Sequence, residues 1–110
     1  MNELKEQVNA QMRKGVLELC VLAILNQSDA YSNDIIEALK KHEIILVEGT
    51  LYPLLTRMKN QGHLTYRWEE SNQGPPRKYY SITQAGKEYF NTLRTIWIDF
   101  SSSINKLLQQ

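Results

Sequence analysis

Cysteine is almost absent from this chain of 110 residues, where Cys20 stands alone. A single thiol excludes an intrachain disulfide and any zinc site built from several cysteines. Apolar neighbours on both sides mark Cys20 as a small core residue. Histidine is equally scarce: His42 and His63 lie far apart on polar stretches, so neither a metal site nor a cofactor is expected. Long hydrophobic runs are missing too. Val16 to Leu25 is the longest, Glu18 interrupts it, and it reaches about half of the ~20 residues that a membrane span needs. It reads as a buried helix, with no membrane partner. The start, Met1 to Gln7, is too polar and acidic for a secretory signal, so a cytoplasmic location is expected. Glycines are few, and Gly49, Gly62, Gly74 and Gly86 each stand alone at a turn or helix end. With no phosphate-cradling glycine loop, nucleophile–base pair or metal spacing, the chain does not read as an enzyme.

A strong net charge is also lacking, at +1, but its distribution is uneven. Residues 15–47 carry Lys40 and Lys41 against Glu18, Asp29, Asp34, Glu37 and Glu43, whereas residues 48–80 carry Arg57, Lys59, Arg67, Arg77 and Lys78 against Glu48, Glu69 and Glu70. Positive charge gathers in one middle segment, as it does in an element that faces nucleic acid. A solvated patch would look the same, so the charge needs a structural context.

Periodicity supplies one. Leu4, Val8 and Met12 make a narrow stripe on a polar helix, and residues 16–25 make a helix that is apolar almost all round. The polar break Asn26 to Asp29 ends it and offers N-cap oxygens to the next helix, which carries Ile35, Ile36 and Leu39. In Glu48 to Pro53 the proline reads as part of a first helical turn. Leu51, Leu54, Leu55 and Met58 form the buried face of this third helix, and Gly62 stops it. Thr50, Tyr52, Thr56, Arg57 and Lys59 fall mainly on its other side, a chemistry suited to the major groove. His63 to Glu70 alternates, with Leu64, Tyr66 and Trp68 on a covered face. Residues 71–76 read as the turn, with Gly74 at its tip, and Arg77 to Ile82 as the returning strand. Arg77 and Lys78 are candidates for phosphate or minor-groove contact, and neighbours on a strand face opposite ways. Three helices and a two-stranded wing predict a mainly α winged helix-turn-helix domain over residues 1–82. Residues 83–110 form a last helix, capped by Thr83. There Phe90, Leu93, Trp97, Phe100, Ile104 and Leu107 repeat as a heptad seam. So much apolar surface predicts pairing with a second copy of the chain, with Leu4 and Val8 alongside.

Three linked motifs carry a family resemblance. The runs Met12 to Leu19, Val47 to Leu55 and Gly74 to Tyr80, the last followed by Thr83 and Gly86, resemble the PadR family of bacterial regulators. The single short C-terminal helix is similar to its smaller subfamily, which includes a multidrug-resistance regulator. The resemblance implies a homodimeric repressor on a roughly palindromic double-stranded DNA operator. It places Thr50 and Tyr52 in the recognition helix and Arg77 and Lys78 in the wing. It also implies a planar aromatic effector stacked on Trp97, with Leu19 and Phe100 as walls, although a tryptophan on a heptad seam is usually interface core. Where the family has Tyr-Gly-Tyr-Glu, this chain has Tyr31-Ser32-Asn33-Asp34. Ser32 and Asn33 can still donate to a phosphate beside Tyr31, without the second tyrosine. A winged-helix module that binds protein and no DNA is the alternative.

Overall fold

The computed structural model describes residues 2–110; Met1 lies outside them. In chain order the elements are α1 (Asn2–Lys14), α2 (Leu17–Leu25), α3 (Ser32–Lys41), α4 (Glu48–Asn60), β1 (Leu64–Ser71), β2 (Gly74–Ile82) and α5 (Gln84–Leu108). Each core helix buries the face that its periodicity marks. α2 contributes Val21, Leu22 and Leu25, α3 Ile35 and Leu39, and α4 Leu51, Leu54, Leu55 and Met58. These meet Ala30, Leu46, Leu64, Tyr80 and Phe90 in one cluster, against which Cys20 is partly buried. No helix is long and apolar enough to cross a membrane among the described residues.

The junction between α4 and α5 is tightly specified. Gly62 has φ +85°, which an L side chain seldom adopts. Its N–H donates to the Lys59 carbonyl and that of His63 to the Met58 carbonyl, each at 3.0 Å, closing α4 in a Schellman arrangement. The Thr83 hydroxyl then donates to the Gly62 carbonyl at 2.6 Å and accepts from the Gly86 N–H at 3.0 Å. One side chain thus ends one helix and caps the next. Gly86 packs so closely on the His63 carbonyl and Ile82 that an added methyl group would overlap both.

β1 and β2 pair antiparallel, and β2 adds a further bridge to Ala30. Helices α2 to α4 with this hairpin make a winged helix-turn-helix, mainly α as the sequence predicts. Several local expectations change. The turn is only Asn72-Gln73, and Pro75 and Pro76 belong to β2. Between the pairs Glu69↔Arg77 and Ser71↔Gly74 the two prolines face the single residue Glu70. A bulge suits residues that have no N–H to give to a ladder. Pro53 lies inside α4, past its first turn, because the helix already begins at Glu48. The N-cap of α3 is Tyr31 rather than the Asn26 to Asp29 break. Trp68 leaves the covered face of β1 and is 61% exposed, because the core ends below it. Phe90 corrects the expected seam: it is 8% exposed inside the core, and Leu93 packs partly against the same cluster. The first turns of α5 lie on α2, so the seam's inner residues already have a partner within the chain.

The remainder of α5 does not. At 1.5 Å per residue its length is about 37 Å, and Gly86 and Phe90 are its buried residues. α1 buries none. The molecule is consequently elongated, 55 Å along its longest axis.

Gly86→Ala should destabilise the fold by about 1–3 kcal/mol through overpacking. Gly49→Ala, in a helix with open space around it, should be neutral or stabilise by up to ~1 kcal/mol. Denaturant unfolding of both variants checks the pair; equal midpoints would contradict the packing described.

Candidate nucleic-acid interface

α4 turns 100° per residue, so burying Leu51, Leu54, Leu55 and Met58 leaves Gly49, Pro53, Thr56 and Asn60 pointing directly away from the core. Tyr52 flanks them on the α3 side, where its hydroxyl lies 3.0 Å from the Ser32 Oγ. Tyr52, Pro53, Thr56, Arg57, Asn60 and Gln61 line one open concavity. Thr50 occupies the other flank, in a depression shared with Glu6, Asn9 and Arg13 of α1. Arg57 is on that flank too, and its Nη2 reaches the Glu18 carboxylate of α2 at 3.1 Å. Arg57 nonetheless lines the same concavity as Tyr52 and Thr56 and is 59% exposed, so it borders the outward side while Glu18 orients its guanidinium. Asn60 went unassigned in the sequence, yet counting around the leucine stripe would have placed it opposite the core beside Thr56.

Tyr31, Ser32 and Asn33 open α3, and the Tyr31 N–H donates to the Asp34 carboxylate at 3.3 Å. A helix start with the Ser32 hydroxyl beside it suits a phosphate oxygen. The hairpin register then separates the two wing cations. Arg77 shares a face with Tyr79 and Arg67, and its guanidinium lies 4.6 Å from the Tyr31 ring. Lys78 shares the opposite face with Tyr66 and Trp68, 4.6 and 5.3 Å from their ring centroids. Lys59, near the end of α4, approaches the same Tyr66 ring at 5.8 Å. These cations rest on aromatic faces at the surface. Gly74 is exposed at the tip, and nothing crowds it. The wing is tied to the helices by Arg67, which binds Asp29 at 2.6 Å and Glu69 at 2.8 Å. The Arg67 hydrogen bond holds the Asp29 carboxyl below its usual range.

The residues read as an effector site also come together. Leu19, Trp97 and Phe100 line a cleft of about 320 Å³ between α2 and α5, along with Met12, Glu18 and Tyr89. Burial, and then the bond to Glu18, push the Tyr89 phenol up, so it remains a donor. Around this cleft the expected seam is open to solvent: Leu4 is 64% exposed, Phe100 60% and Leu107 65%. Val8, Trp97 and Ile104 are exposed as well.

Residues 21–92 match the model of the transcriptional regulator PadR-like family. The chain belongs to the PadR-like family. Among solved structures, a PadR-like transcription factor of Bacteroides fragilis is 48% identical, over 92% of this chain and 98% of that one, with a TM-score of 0.77. A PadR-like regulator of Bacillus cereus is 40% identical over 91% and 98%, with a TM-score of 0.82. A PadR family regulator of Eggerthella lenta is 29% identical over 99% and 96%, with a TM-score of 0.87. This PadR-like protein is therefore a transcriptional regulator that works through DNA, and not an enzyme.

The pairing that ties down the PadR wing has a pH signature. A carboxyl whose pKa is lowered on folding stabilises the fold above its ordinary value near 3.8, and that contribution disappears as pH falls through the lower folded value. Urea unfolding between about pH 5 and pH 2 should show wild type losing more stability than Asp29→Asn. Parallel curves would mean that the Arg67 link is not formed in solution.

Proposed function

We propose that this PadR-like protein is a homodimeric repressor, each copy placing α4 in a major groove and its wing against the flanking backbone. The observation that carries the reading is the joint surface of α4 and the hairpin. Tyr52, Thr56 and Asn60 offer hydrogen-bonding groups to base edges, and Arg77, Lys78, Lys59 and the α3 start surround them with phosphate partners. Thr50, Gly74 and Arg57 border this surface, with Glu18 orienting the Arg57 guanidinium.

The homodimer reading rests on unsatisfied apolar surface. Leu4, Val8, Trp97, Phe100, Ile104 and Leu107 leave large areas in water. Covering each such side chain contributes about 1.5–3 kcal/mol, enough in sum to offset an association cost on the order of 4–15 kcal/mol. Leu93 joins them at the inner edge. In the dimer, the cleft lined by Leu19, Trp97 and Phe100 sits beside the paired helices. A planar aromatic effector stacked on Trp97 alters the spacing between the two α4 helices, and half-site spacing is a geometric requirement of operator binding. This is how the effector releases the repressor.

Two measurements test the reading. On a duplex selected from a random pool by the wild-type protein, affinity should fall steeply with salt. Arg77→Ala/Lys78→Ala should bind more weakly, with a log–log salt slope shallower by about 1 for each phosphate that is no longer neutralised. Unchanged affinity and slope would remove the wing from the interface. In sedimentation, wild type should run as two chains and Ile104→Asp as one. A wild-type monomer at tens of micromolar, an order-of-magnitude working concentration, would refute the seam.

A further inference from the structure

One side chain of α2 links the cleft to the reading helix. Glu18 lines the cleft beside Trp97, and its two carboxylate oxygens have different partners. Oε1 accepts from Arg57 Nε and Nη2 at 3.3 and 3.1 Å, whereas Oε2 accepts from the Tyr89 hydroxyl at 3.1 Å. Tyr89 is itself held in place, stacked on His63 with 4.1 Å between centroids and 10° between planes. Glu18 is 20% exposed and Arg57 59%, so the pair sits at a partly wet boundary. It is strong enough to orient a guanidinium and open enough to be exchanged.

The charge of the cleft indicates what could exchange it. Among the described residues lining it, Glu18 is the only charged side chain, and the remainder are apolar or aromatic apart from Gly15. A neutral planar molecule can stack on Trp97 and leave the carboxylate with Arg57. A cation in the same apolar space needs an anionic partner, and aromatic faces favour it further. The carboxylate within reach is the one that holds Arg57.

We propose that Glu18 couples the cleft to the recognition helix, and that a planar organic cation in the cleft competes with Arg57 for its carboxylate. The proposal rests on the reading of the cleft as an effector site, and adds the charge class of the effector and the route of coupling. With the cleft empty, Glu18 holds the Arg57 guanidinium on one flank of α4. With a cation bound, that side chain is released from its set position and DNA affinity falls. By linkage, DNA weakens binding of the cation by the same factor.

The probes are 1-methylquinolinium and its neutral counterpart quinoline, at neutral pH. Binding is followed by Trp97 fluorescence in a Trp68→Phe background. Affinity for the selected duplex is read by anisotropy at probe concentrations that saturate the quenching of each variant, with probe and duplex alone as control. The cation should weaken wild-type DNA binding by about 5-fold or more, and quinoline should leave it unchanged. In Glu18→Gln, and independently in Arg57→Gln, the cation should still quench Trp97 but no longer change DNA affinity. Circular dichroism verifies the fold of each variant, and either folded variant suffices. A full response in a folded variant overturns the coupling while leaving the effector site standing. Equal responses to both probes overturn the charge class. Absence of Trp97 quenching by either probe removes the effector site itself, and the coupling with it.

Discussion

Four side chains on one side of α4 govern what this protein can show to DNA. Leu51, Leu55 and Met58 are fully buried and Leu54 is 5% exposed. Truncating a residue of this kind costs about 2–5 kcal/mol, against a total stability of about 5–15 kcal/mol for a domain. The helix therefore cannot rotate about its axis without unfolding the molecule. Tyr52, Thr56 and Asn60 face outward as a consequence of that burial, and the Gly62–Thr83–Gly86 junction fixes where the helix stops and the wing begins.

Electrostatics acts on top of this frame as an orienting force. Exposed ion pairs such as Arg67 with Asp29 and Glu69 contribute little stability individually. Their value is geometric: Arg67 sets the wing against the loop before α3, and Glu18 sets Arg57 against α2. The wing cations rest on Tyr31, Tyr66 and Trp68, which limits their freedom before any phosphate arrives.

Much of the fold was legible because its determinants are periodic. The leucine stripe of α4, the alternation in β1 as far as Tyr66, the Thr83 cap and the Gly62 stop all follow from local rules, and the structure has each of them. What was not legible depends on partners distant in sequence. Arg57 looks like any helix-surface cation until Glu18, 39 positions earlier, is brought beside it. Phe90 fits a heptad seam as well as Trp97 does; only the packing of α5 on α2 turns it inward. Pro75 and Pro76 read as turn residues because the bulge that accommodates them is a property of two strands. The cleft around Trp97 was anticipated through resemblance, and its Glu18 wall only appeared in three dimensions.

In the proposed homodimer, two α4 helices held at a set spacing by the C-terminal helices enter successive major grooves on one face of a duplex. Hydroxyl-radical footprinting of the full chain on its selected duplex tests this most directly. The account predicts two protected half-sites related by approximate two-fold symmetry, with centres about 10 base pairs or a whole multiple apart. A single protected half-site, or two on opposite faces of the helix, would contradict it.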